Sequence, residues 1–261
     1  MILILEKEGL VVFDFVVVGL FGAIFGSFLA MLVYRLPLSI SLIDPARSFC
    51  PICKHSLRWY ENIPLLSYIF LRGKCKECNS SISFVYFLVE LSSVVVTMGL
   101  CFKYGFSLEF IFLSVIFYIC IVLAFIDMQY KFVPDYLLVG LVLVSLFYIY
   151  MFKLQNISVF FIFAGAIFIL NFFVTFYIQN IKAKLTNDIN LKEQTALGEG
   201  DIPVIATMGG ILGVKFGIVA LGLSSILAII PSLINKKFKD DIETPFIPFL
   251  VLAFFIVLVV Y

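Results

Sequence analysis

Long uninterrupted apolar runs constrain this chain more than any other feature. Val11–Val33, Leu108–Ile126 and Leu137–Phe152 are near or above the roughly 20 apolar residues that cross a bilayer. Hydrophobic residues make up 63% of the sequence and charged ones only 13%, against about a quarter charged in soluble domains. These figures predict an all-α polytopic membrane protein with about eight transmembrane helices. The net charge of +1 points to neither nucleic acid nor a strongly acidic partner; membrane lipid is the surrounding medium.

The first span is read as roughly Leu10–Tyr34, ending at Arg35-Leu36-Pro37. Met1–Glu8 carries Glu6, Lys7 and Glu8 in place of a basic segment, and no small-residue cleavage site follows. The first span is therefore expected to be retained and not removed as a signal. It contains Gly19, Gly22, Gly26, Ser27 and Ala30 at about helical spacing, a stripe that permits close helix–helix approach in lipid. Further spans are expected near Phe84–Phe102, Leu108–Ile126, Tyr136–Phe152 and Ile157–Ile178. A polar segment then leads to a short helix at Ile202–Leu212, a longer one near Phe216–Ile234 and a last span near Pro245–Tyr261.

Between the first two spans lies the long polar insertion Pro37–Ser83, with Cys50-Pro51-Ile52-Cys53 and Cys75-Lys76-Glu77-Cys78. Two C-x-x-C pairs at this separation match a tetrahedral four-thiolate zinc site. A loop this small buries little apolar area, and a metal ion supplies the missing stability. A pair of disulfides is the alternative, but it needs an oxidising compartment. His55, beside the second cysteine, is expected to be a bystander, and Cys101 and Cys120 inert apolar residues within spans. The organisation expected is thus a first transmembrane helix over 1–36, a cytoplasmic four-cysteine zinc loop over 37–83 and a transmembrane peptidase domain over 84–261.

Lys and Arg set the orientation. If the cysteine loop is cytoplasmic, alternation places Asp127–Asp135, Gln179–Asp201 and Asn235–Thr244 on the same side, and thirteen basic residues gather there against four opposite. Asp127 and Asp201 then both fall at the cytoplasmic edge of the membrane, on different helices. Asp201 closes Gly198-Glu199-Gly200-Asp201 and precedes an apolar run containing Pro203. Glycines allow close backbone approach and positive φ, and Pro suits a first helical turn, so Asp201 is predicted at a helix N-terminus.

An Asp at the centre of a spanning helix costs about 2.5–3.5 kcal/mol on insertion scales, so ionisable groups at membrane depth usually have a task. Two nearby carboxyl groups resist joint ionisation and share a proton. The ionised member takes a proton from water while the protonated member donates to a scissile carbonyl. That is the equipment of an aspartyl-type hydrolase. Helix capping is the alternative role for such residues. It suits Asp135, after Pro134, better than Asp127, which follows an apolar span. Glu90, near the cytoplasmic end of the second span, is a candidate to line or support the site, as are Asp135, Gly198 and Gly200.

With these residues in view, the chain resembles the bacterial type IV prepilin peptidases (prepilin leader peptidase/N-methyltransferase), membrane aspartyl proteases of the G-x-G-D type. The likeness runs through Gly26-Ser27-Phe28-Leu29, Tyr34-Arg35-Leu36-Pro37, the paired cysteines, Trp59–Tyr68, Leu71–Cys75, Val89-Glu90, Ile126-Asp127, Val133-Pro134-Asp135, Gly198–Asp201 and Pro245-Phe246. The resemblance implies cleavage of a short basic leader from prepilins or pseudopilins at the cytoplasmic face of the bacterial inner membrane. Asp127 and Asp201 would be the catalytic pair. Methylation of the new N-terminal amine from S-adenosylmethionine is implied by resemblance alone. Departures from the family pattern are Pro203 for a frequent Lys, Gln129 for a frequent Asp, Ala30 for Asn and Ile247 for Gly.

Two other readings compete. Another G-x-G-D protease acting on signal-peptide remnants would place its partner Asp deep in a span and lack the zinc loop. A catalytically silent, zinc-bearing assembly factor would dock pilins without cutting them.

Overall fold

The computed structural model describes residues 12–44, 47–186, 197–238 and 245–261. The expected retained N-terminal segment before residue 12 and the polar stretch 187–196 lie outside them. Two compact units emerge, one ending at Tyr130 and one beginning at Lys131.

The first unit contains α1 (Val12–Arg35), a 3-10 turn at Trp59–Asn62, α2 (Leu66–Phe70), α3 (Phe84–Tyr104) and α4 (Leu108–Tyr130). The second contains α5 (Asp135–Phe152), α6 (Ile157–Phe176), a π-helical extension at Tyr177–Lys182, α7 (Ala183–Thr186), α8 (Asp201–Phe238) and α9 (Ile247–Val260). Among the described residues, extended pairing is limited to isolated bridges at Phe49–Ser56 and Lys74–Ser81. The protein is all-α.

Among the described residues, six helices are long and apolar enough to cross a membrane: Phe15–Arg35, Phe84–Tyr104, Leu108–Tyr130, Asp135–Phe152, Leu154–Leu185 and Asp201–Ile229; Ile247–Val260 is apolar but shorter. The apolar segments read in the sequence are all present. The count of long helices falls below eight because α9 is short and because the two segments after Asp201 form one element. That element is not straight. Gly213, at φ 79° and ψ 175°, breaks α8 into limbs 201–212 and 214–238, a backbone conformation that suits glycine.

Small residues decide the packing in both units. A Cβ added to Gly22 would lie 2.9 Å from the Val94 Cα, and one on Gly26 2.8 Å from the Glu90 Cα. The stripe on α1 therefore lets α3 approach backbone to backbone, and Ser93 Oγ donates to the Gly22 carbonyl at 2.7 Å across that contact. Phe21, Ile24, Phe25 and Phe28 stay more than two-fifths exposed, as expected of a helix whose remaining surface meets lipid.

In the second unit the limbs of α8 fold back on each other. A Cβ on Gly217 would come within 3.2 Å of the Gly209 Cα, and the Phe163 ring of α6 fills the space above both glycines. The turn is tied at its apex. Lys153 Nζ donates to the Ile211 carbonyl at 3.1 Å, supplying a partner to a carbonyl at a helix end. Ser145 Oγ and Thr207 Oγ1 meet at 3.1 Å within the core.

Candidate metal and catalytic sites

Each C-x-x-C pair closes a knuckle of the same design. The Cys50 amide donates to the His55 carbonyl and the Lys54 amide to the Cys50 carbonyl; the Cys75 amide donates to the Ser80 carbonyl and the Asn79 amide to the Cys75 carbonyl, all at 2.9 Å. Lys54 and Asn79, the residues after each second cysteine, both take positive φ, 60° and 55°. The knuckles face each other. Cys50 Sγ lies 3.9 Å from Cys78 Sγ, Cys53 Sγ 3.9 Å from Cys75 Sγ, and all four sulfurs fall within 4.8 Å of one another.

A tetrahedral ion with metal–sulfur bonds near 2.3 Å requires sulfur–sulfur edges of about 3.8 Å. The four thiols match that requirement, and all are free cysteines. They can hold a metal ion. The disulfide alternative is not realised. Their acidities fit the same use. Burial alone would raise the Cys50 thiol, but the Cys53 and Ile52 amides outweigh it and bring it down to about 6. The His55 amide favours the Cys53 thiolate, yet burial and the neighbouring thiols push that group up to about 12. Four thiols so close cannot all ionise without a cation among them.

His55 is engaged elsewhere. Its Nε2 lies 3.3 Å from Glu61 Oε2, which also accepts the Arg58 amide at 2.8 Å. The Arg58 amide, and then His55, hold the Glu61 carboxyl below the usual range. Arg35, at the end of α1 and only 2% exposed, donates to the carbonyls of Ser41 (2.8 Å), Leu42 (3.3 Å) and Arg47 (3.1 Å). The sequence reading assigned no role to Arg35 or Glu61. Neither lies on an apolar periodicity, and a buried charge among loop carbonyls leaves no spacing signature.

Asp127 occupies the last turn of α4 and is buried, 9% exposed. A carboxylate near a helix C-terminus opposes the helix dipole, and burial adds a desolvation cost. The position is therefore poor for a cap. Asp201 is the first residue of α8 and 6% exposed; its Oδ2 accepts the Gly198 amide at 3.1 Å. The helix start predicted for Asp201 is present.

The glycines act differently from expectation. Neither Gly198 nor Gly200 is among the positive-φ residues. Gly200 is needed for space, since a Cβ there would meet Val133 at 3.2 Å; Gly198 would meet only Asp201 Oδ2, at 3.4 Å. Asn171 of α6, not anticipated from sequence, anchors this loop by accepting the Leu197 amide at 3.0 Å. Asp135 begins α5 and is exposed. Glu90 Oε2 accepts the Leu65 amide at 2.6 Å, which ties α3 to the cysteine-bearing loop.

Fold and site together define a multi-pass helical membrane protein with a metal-ready four-thiol loop and a buried aspartate in each unit. Residues 20–104 match the family described as Bacterial Peptidase A24 N-terminal domain, and residues 114–233 match the Type IV leader peptidase family. The chain is 31% identical to the prepilin leader peptidase/N-methyltransferase of Vibrio cholerae over 79% of its length and 81% of that protein. It is also 31% identical to the enzyme of that name from Legionella pneumophila, over 92% of this chain and 89% of the relative. A further relative of that name, from Aeromonas hydrophila, is 27% identical over 99% and 95%. No solved structure gives a significant match. The chain belongs to the type IV leader peptidase family.

Proposed function

We propose that this chain is an aspartyl endopeptidase that removes the leader of type IV prepilins or pseudopilins at the cytoplasmic face of the inner membrane, with Asp127 and Asp201 as its two carboxyl groups. The observation that carries the reading is the burial of both aspartates at helix ends in a member of this family. One carboxylate takes a proton from the attacking water and later passes it to the leaving amine, while the other, protonated, donates to the scissile carbonyl and recovers its proton as the tetrahedral intermediate collapses. Apparent pKa values would belong to the pair. The gathering of Lys and Arg in the loops that flank Asp127 and Asp201 supports the cytoplasmic orientation. Gly198, Gly200 and Asn171 act as supports that hold Asp201, and Asp135 serves as a helix-start residue at the rim.

The four cysteines hold zinc as a structural ion that stabilises the loop. The second activity is N-methylation of the new terminal amine, a reading supported by relatives named prepilin leader peptidase/N-methyltransferase. S-adenosylmethionine, when bound, supplies an electrophilic methyl group on a sulfonium centre. Incubation of the detergent-purified chain with a prepilin tests the proteolytic reading: the substrate should lose the mass of its leader. An unchanged substrate mass would leave only the silent assembly factor.

A further inference from the structure

A cavity of about 310 Å³ lies in the first unit between the thiol knuckles and the facing ends of α1 and α3. This volume falls at the lower end of small-molecule pockets, roughly 300–1,000 Å³. Tyr34, Phe49, Tyr68, Tyr86 and Phe87 give its walls aromatic faces, and two carboxylates, Glu61 and Glu90, also line it. Among the described residues of the lining Arg35 is the one cation, and three backbone carbonyls already share its guanidinium. Cys50 and Cys75 border the cavity too, and a metal-bound thiolate cluster adds negative charge on that side.

Glu61 is the telling residue. Its Oε2 is satisfied by the Arg58 amide and His55, but Oε1 is buried with no hydrogen-bond partner. A carboxylate that served only the turn at Trp59–Asn62 would need one oxygen, and leaving the other buried and unmatched costs about 1–3 kcal/mol or more. An electronegative cavity with aromatic walls favours a weakly hydrated organic cation, attracted by ring faces and carboxylates together. A hydrated metal ion would find no such advantage in the apolar walls.

We infer that this cavity is the methyl-donor site, with Glu61 and Glu90 holding the sulfonium of S-adenosylmethionine against Tyr34, Phe49 and Tyr86. The inference rests on the methylation half of the proposed function and adds the residues that carry it.

Equilibrium binding to the metal-loaded, detergent-purified full chain tests it, comparing S-adenosylmethionine with S-adenosylhomocysteine, which lacks the positive charge. The wild type should bind the charged donor at least tenfold tighter. Glu61→Gln should lose that preference while binding of the neutral product and metal content stay as in wild type and the chain stays folded at the temperature of the measurement. Equal binding of the two ligands by wild type, or an unchanged preference in both Glu61→Gln and Glu90→Gln, overturns the assignment. If Glu61→Gln loses its metal, ultraviolet crosslinking of labelled S-adenosylmethionine to wild type decides: label in peptides bearing Tyr34, Phe49 or Tyr86 supports the site, and label confined elsewhere overturns it. Methyl transfer by wild type with the cavity variants unaffected would sink the site and spare the activity. Prepilin cleavage with neither donor binding nor methyl transfer would sink both.

Discussion

Glu90, on membrane helix α3, accepts the backbone N–H of Leu65 at 2.6 Å, and Leu65 holds φ 61° and ψ −48°. A branched residue at positive φ is an outlier, worth of order 1–3 kcal/mol of strain. The carboxylate thus keeps a turn of the cysteine-bearing loop in a conformation the chain would leave if freed. Arg35 does the same from α1 by gathering the carbonyls of Ser41, Leu42 and Arg47. Two charged side chains at helix ends therefore hold the loop to the helices that flank it.

Replacing Glu90 by Ala should release that turn. The expected loss is about 1–3 kcal/mol, the cost of a polar group left unmatched. Limited proteolysis should show faster cutting between Ile63 and Ser67. Adding Leu65→Gly to Glu90→Ala should recover part of the loss, because glycine tolerates positive φ. Equal protease resistance in wild type and Glu90→Ala would refute the tie.

The thiol cluster predicts a clear division among cysteines. Cys50→Ser or Cys75→Ser should abolish stoichiometric metal and loosen the loop, since a four-ligand site loses most of its affinity with one thiolate gone. Cys120→Ser should keep the metal, because Cys120 is fully buried within α4 and remote from the loop in sequence. Elemental analysis of the three proteins reads the difference.

For the aspartates, Asp127→Asn and Asp201→Asn should each lower prepilin cleavage by at least about 10²–10⁴-fold, the range for loss of a general acid or base. Both amides preserve shape, so metal content and membrane insertion should not change. Asp135→Asn should stay within a few-fold of wild type, given that its side chain is exposed at the start of α5. Substantial cleavage by either of the first two variants would remove that residue from the proposed chemistry.

The sequence made the membrane helices legible because a bilayer demands long apolar runs, and no alternative element satisfies that demand. The break in α8 was legible too, since the apolar segment Ile202–Leu212 is too short to cross and the glycines of Gly213–Gly217 follow it. The cysteine spacing implied a four-thiol site, and the knuckles supply it. Less visible were the polar anchors. Asn171 takes an amide far along the chain, at Leu197, Arg35 gathers carbonyls of the loop that follows its own helix, and Glu61 is held by the Arg58 amide of its own turn and by His55; which of these polar groups end up buried depends on tertiary placement. The role of Gly200 was half legible: close approach to Val133 is real, but the expected positive φ is not.

The hairpin at Gly213 has a steric consequence at its neighbours. A Cβ on Gly209 would lie 2.3 Å from the Phe163 ring, so Gly209→Ala must displace a buried aromatic side chain. Overpacking of this kind costs roughly 1–3 kcal/mol. Thermal unfolding in detergent should show the loss. Pairing the change with Phe163→Leu should recover part of it, as expected for residues in direct contact. Gly222→Ala, with open space around its Cβ position, should be nearly neutral.

Acid should weaken the cysteine-bearing loop through Glu61. The Arg58 amide, followed by His55, holds its carboxyl below the ordinary value, which is about 4.3 in an unfolded chain. The folded state therefore prefers the carboxylate more than the unfolded state does. The resulting stability is fully present above about 4.3 and is lost as pH falls through the lower, folded value. Trp59, the single tryptophan, begins the turn that contains Glu61, so its fluorescence follows unfolding of this part of the loop. Acid also strips metal from thiolates, but it does so in every variant. The informative quantity is the stability difference between wild type and Glu61→Gln. It should be largest near neutral pH and shrink as pH falls below about 4. A difference that stays constant down to pH 3 would show that the Glu61 charge contributes nothing to the loop.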